Sequence, residues 1–150
     1  MSERPKITKE IIAEAAEKLT ANISAHVTAE EIAENYHRGI GGYDLARAID
    51  GDYGDRSFSA DDVETLDGMW WEVDKILRVK ESEWVKTEKI IPQLNNGTRV
   101  TVLNGIRNTE GVIDHVDMHG AARYCVKEDG CTKKGTFLLV KFEDAKRKEG

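Results

Sequence analysis

The spacing of apolar residues changes once along this chain, and the change falls at Pro92. Before it, apolar side chains recur every three or four positions. After Gly97 they alternate with polar ones. The first spacing buries one stripe of a helix and the second buries one face of a strand, so the two halves must fold differently. The expected class is α+β, with an N-terminal helical unit over 1–91 and a small antiparallel β-unit over 92–150. No strand longer than three residues is expected before Pro92, and no helix of three turns after it.

In the first half, Ile7, Ile11, Ile12, Ala15, Ala16 and Leu19 predict a helix over roughly 8–21. Thr28 and Glu31 form a capping-box signature, Val27 and Ile32 stand where a hydrophobic staple packs, and Gly39 supplies a C-terminal stop. Gly41-Gly42 predicts a bend, followed by a short helix carrying Tyr43, Leu45, Ala46 and Ile49. The acidic "DGDYGD" over 50–55 resembles a cation-binding loop, but Asp55 and Asp61 stand where an EF-hand needs Gly and Glu, so a plain turn is expected. Ser59 through Asp62 forms a second cap, with Phe58 and Val63 as its staple. Val63, Leu66, Trp70, Val73, Leu77 and Trp84, with Met69 and Ile76 beside them, predict one long helix over roughly 60–85 with its stripe in the core. Trp71 lies about 100° off that stripe, where it closes the core edge or anchors a partner.

In the second half, strands are expected at Val100–Val102, Val112–Val116, Tyr124–Val126 and Leu138–Phe142. Turn residues separate them at Asn104-Gly105, at His119-Gly120 and from Asp129 to Gly135. Four short antiparallel strands at this spacing make a strongly bent sheet or small barrel.

The segment "NNGTRVTVLNGIRNTEGVIDHVD" resembles the KOW motif of SH3-like barrels in ribosomal proteins and transcription elongation factors. Gly97, Gly105 and Gly111 answer its glycines, and Val100, Val102, Val112 and Ile113 its apolar positions. The loop is one residue short, and "IRNTE" replaces the usual lysine-rich loop. The resemblance implies an SH3-like β-barrel over 92–150. It also implies an RNA- or DNA-binding surface at Arg99, Arg107, Arg123, Lys127, Lys133 and Lys134. As a whole, the layout is similar to that of small accessory proteins of phages and mobile elements.

Charge separates two functional classes. The chain carries a net −6, of which residues 1–91 hold −8 and residues 92–150 hold +2. Ten acids and two bases fall between 44 and 74, a composition that repels phosphate backbones and attracts a basic protein surface. The expected function is therefore a non-enzymatic inhibitor or adaptor that engages a basic protein, such as a nucleic-acid enzyme or defence complex. Its partner-binding residues would be Asp50, Asp52, Asp55, Asp61, Asp62, Asp67 and Trp71. The KOW-like nucleic-acid binder is the alternative.

No phosphate loop, dinucleotide fingerprint or nucleophile elbow appears, and no cofactor is expected. His115, His119, Cys125 and Cys131 are four potential zinc ligands, but no CxxC knuckle accompanies them and no metal site is expected. Tyr36, His37, Tyr43 and Asp44 flank the glycine corner, where packing outweighs a site. No apolar run approaches the roughly 20 residues of a membrane helix. "MSERPKITKE" has no signal-peptide core, so a cytoplasmic location with reduced cysteines is expected.

Overall fold

The computed structural model describes residues 3–51, 58–103, 109–117 and 121–148. Among these, five α-helices precede five strands and one 3-10 turn, which makes the class α+β. Among the described residues, no strand precedes Pro92 and the three-residue turn Phe142–Asp144 is the only helical element after it. The chain divides into two compact units, Glu3–Lys80 and a second that begins at Glu81.

In the helical unit, α1 (Lys9–Thr20) starts where the Thr8 hydroxyl accepts from Ile11 N, and it buries Ile11, Ala15, Ala16 and Leu19. α2 (Ala29–Asn35) opens on the complete Thr28/Glu31 capping box. It ends at Asn35, a full turn before the expected stop at Gly39, because Tyr36 is already extended. α3 (Gly42–Asp50) closes at Gly51. The rest of the "DGDYGD" segment lies outside the described residues.

The expected long helix is two helices. α4 (Ala60–Asp67) ends at Gly68, and α5 (Met69–Thr87) begins immediately after it. Gly68 donates its N–H back to Thr65 and Leu66, and its carbonyl accepts from Trp71 and Glu72, so it closes one helix and opens the other. The buried stripe runs through Asp62, Leu66, Met69, Val73 and Ile76, keeping Leu66 and Val73 of the expected one and lying one position N-terminal to it at Val63, Trp70 and Leu77. Trp70 is corrected by this rotation: it is 57% exposed rather than in the core. Ile11, Ala15, Ala16, Leu19, Ile32, Leu45, Ala46, Ile49 and the stripe's apolar members form one cluster. Each Ile or Leu fully buried there contributes roughly 1.5–3 kcal/mol. α3 meets α4 so closely that a Cβ on Gly42 would stand 2.2 Å from the Val63 carbonyl oxygen.

In the sheet unit, β1 (Arg99–Val102), β2 (Thr109–Val116), β3 (Arg123–Glu128), β4 (Leu138–Lys141) and β5 (Ala145–Arg147) form one sheet in the order β4-β3-β2-β1-β5. Each pairing is antiparallel. The fifth strand corrects the expected four. "AKR" has no strand-like composition and is extended because it pairs with Val100–Val102. Phe142 begins the 3-10 turn rather than ending β4. β2 carries a bulge between Ile113 and His115. Gly111 is needed where β2 meets β3, since a Cβ there would lie 2.4 Å from the Lys127 carbonyl oxygen. Of the motif glycines, Gly97 has φ +87° and Gly105 lies outside the described residues.

The sheet's core is Val100, Ile113, Tyr124, Val126 and Val140. Tyr124 is 1% exposed, and its ring packs 4.4 Å from that of Phe142. Its hydroxyl oxygen accepts from Gln93 N at 3.1 Å and Leu94 N at 3.0 Å. A buried phenol oxygen needs such partners, and here they fix the segment after Pro92 to the sheet.

Candidate functional site

The helical unit exposes two adjacent tryptophans in the first turn of α5. Trp70 is 57% and Trp71 48% exposed, and their rings meet edge to face with centroids 5.7 Å apart. Trp is enriched among the side chains that anchor protein interfaces. Acids stand on either side in sequence. Asp67 closes α4, and Asp74 lies one turn beyond Trp70, ion-paired with Arg78 at 2.9 Å.

The expected partner-binding acids separate. Asp61 is exposed in the first turn of α4. Asp67 is exposed, and one of its oxygens accepts from Gly42 N at 2.8 Å. Asp50 is half-buried at the end of α3, and Asp52 and Asp55 lie outside the described residues. Asp62 is corrected: it is 2% exposed and presents no solvated charge. Its carboxylate accepts from Ser24 N at 2.8 Å, Ala25 N at 3.2 Å and Ser59 N at 3.1 Å, and from the Ser24 hydroxyl. The Ser24 amide leads the hydrogen bonds that hold its pKa down to about 2, against the cost of burial. Asp62 thus caps α4 and ties the α1–α2 loop to it.

The basic residues of the sheet unit separate as well. Arg99 pairs with Asp129, which raises its pKa further. Arg123 is turned inward: its guanidinium reaches both oxygens of Glu81 at 3.3 and 3.0 Å, and Glu81 is 2% exposed. Arg123 is therefore corrected from a solvated cation to half of a buried ion pair, which the apolar periodicity around Glu81 did not reveal. Lys127, Lys133 and Lys134 are exposed, and Arg107 lies outside the described residues.

Little of this resembles a reaction centre. Cys125 is buried, and desolvation pushes its thiol pKa up, the opposite of what activates a nucleophile. Cys125 and Cys131 are both free thiols. His115 Nδ1 meets the Asp114 carboxylate, and its ring packs edge-on to Phe137 at 5.3 Å. His119 lies outside the described residues, and no three His, Cys, Asp or Glu among those described are grouped to hold a metal. Tyr36 packs against the helical core, where burial raises its pKa, whereas Tyr43 is 63% exposed with Arg47 over its ring. A groove of about 310 Å³ in the sheet unit is walled by Val85, Ile90, Pro92, Val116 and Phe142, with Ser82, Lys86 and Asp117 as its polar members. No described helix is long and apolar enough to cross a membrane.

Comparison with protein-family models, with curated proteins and with solved structures finds no match.

Proposed function

We propose that this protein is a non-enzymatic binding protein whose helical unit offers a tryptophan-centred, acidic surface to a basic protein partner. The observation that carries the reading is the exposed Trp70–Trp71 pair. Two packed tryptophans supply apolar contact area at little entropic cost, and exposed acids of α4 such as Asp61 and Asp67 select a basic partner. An inhibitor or adaptor needs no more chemistry than this. A nucleic-acid enzyme or a defence complex has the required basic surface, in keeping with the resemblance to accessory proteins of phages and mobile elements.

For the sheet unit we propose a small, partly open SH3-like barrel, in which β4 and β5 are not hydrogen-bonded to each other. The support is topological. β4 and β5 are the two edges of a five-stranded sheet, yet only Phe142–Asp144 separate them in the chain. Flat, those edges would lie about 19 Å apart. Three residues of 3-10 turn advance only about 6 Å, so the sheet must curl. The nucleic-acid alternative loses Arg99 and Arg123 to intramolecular ion pairs and keeps Lys127, Lys133 and Lys134.

The test is affinity capture from the source cell with the wild type and with a Trp70→Ala/Trp71→Ala variant, followed by association rates with the partner identified. The expected partner has a basic contact surface and is lost with the tryptophans. Charge reversal at Asp61 and Asp67 then slows association several-fold at low salt and less at high salt. Capture that survives the double variant, or steeply salt-dependent binding to RNA or DNA lost on Lys133→Glu/Lys134→Glu, overturns the reading.

A further inference from the structure

Among the described residues, the outer edge of β4 combines backbone groups without a strand partner, exposed leucines and the exposed Lys141. Phe142 N donates to Ala122 O at 3.0 Å, and Val140 and Leu138 follow in register with Tyr124 and Val126. Hydrogen-bonded pairs recur every second residue in an antiparallel ladder. The backbone groups of 138 and 140 therefore face β3, and those of Leu139 and Lys141 face away. β4 has no second neighbour among the described strands.

Sheet edges are ordinarily protected, because their free N–H and C=O groups invite pairing with other chains. Here the edge carries Leu139 at 61% exposure and Leu138 at 37%. Leu139 lies in the cross-strand row with Cys125 and His115, and the His115 ring packs on Phe137. Leu139 is the exposed apolar member of that row, since Cys125 is 6% exposed and the His115 ring meets the Asp114 carboxylate. Lys141 in β4 and Lys133 and Lys134 in the β3–β4 connection are exposed and have no anionic partner among the described residues.

We propose that β4 is a strand-addition site for an extended segment of a partner protein in which apolar residues alternate with Asp or Glu. The partner's backbone would pair with Leu139 and Lys141, its apolar side chains would lie beside Leu139, and its carboxylates would meet the three lysines. The lysines also choose between occupants. A second copy of this chain would bring its own lysines to the same edge, so like charges oppose self-pairing, whereas an acidic segment is attracted. Strand addition at β4 does not depend on the tryptophan surface.

The experiment titrates the full-length protein with a labelled nine-residue peptide alternating Val and Glu, read by anisotropy and by amide shifts. The expected result is saturable binding that weakens with salt, with the largest shifts at Leu139 and Lys141. N-methylating alternate peptide amides, or replacing Glu by Lys, should weaken binding at least about tenfold. Leu139→Pro removes only an outward-facing N–H and should abolish binding while β4 stays folded. Lys141→Glu gives a second variant with the backbone intact and should weaken binding several-fold. Binding that is indifferent to N-methylation, shifts that map elsewhere, no binding at all, or a wild-type dimer dissociated by Leu139→Pro would each overturn the proposal.

Discussion

Among the described residues, each unit buries one carboxylate almost completely, and the two do it by different means. In the helical unit, Asp62 is surrounded by neutral donors: three backbone amides and a serine hydroxyl. In the sheet unit, Glu81 faces the Arg123 guanidinium at 3.0 Å. A cage of amides is assembled by local chain geometry, and its donors remain neutral if the acid is lost. An ion pair leaves a buried charge behind when either side is removed. The two units should therefore respond differently to the same kind of damage.

The largest expected effect is at the ion pair. Arg123→Ala removes the guanidinium that faces the buried Glu81 carboxylate and should destabilise the protein by about 3–5 kcal/mol, measured by urea unfolding. Replacing both partners by apolar residues of similar size, Glu81→Leu with Arg123→Met, should recover most of that loss. If the double variant is no more stable than the single, the pair is not acting as a unit and the contrast with Asp62 fails.

Next come the two glycines that let elements touch. Gly42→Ala drives a Cβ into the backbone of α4, and Gly111→Ala drives one into the backbone of β3. Backbone cannot yield as a flexible side chain does, so each should cost about 1–3 kcal/mol or more. Thermal unfolding followed at helical and sheet wavelengths tells whether each loss stays within its own unit. A neutral Gly111→Ala would remove the close β2–β3 approach and weaken the case for a tightly curved sheet.

The sequence was most legible where a local rule acts alone. Thr28 and Ser59 cap their helices because a side-chain oxygen and a free amide lie within one turn. β1 to β4 were visible because alternation and turn residues agree. What escaped reading depends on distant partners. β5 exists through β1, Arg123 turns inward through Glu81, and Trp70 turns outward because the stripe is registered on Asp62, a polar residue that an apolar pattern skips. The tryptophan pair was half legible: Trp71 stood off the expected stripe, but the exposure of Trp70 followed from the break at Gly68.

Asp62 and Asp61 give the smaller effects and the closest comparison, since they are neighbours in the same first turn of α4. Asp62→Asn turns an amide toward donors that need an acceptor, and it should lower the melting temperature by roughly 5–10 °C at pH 7. The sign of its pH dependence follows from a folded pKa of about 2 against an unfolded value near 4. A depressed carboxyl stabilises above its unfolded pKa and loses that contribution as pH falls through its folded one, so the gap between wild type and variant should narrow from about pH 5 downward. Asp61 is exposed and interacts with the helix dipole through water, so Asp61→Asn should cost only a few tenths of a kcal/mol, at most about 1. Its effect belongs to association instead: Asp61→Lys should leave the fold intact and slow capture of a basic partner at low salt. Urea midpoints for the two Asn variants, measured from pH 3 to 7, separate the roles. Equal losses at the two positions would mean that the buried cage around Asp62 contributes nothing beyond charge at a helix end.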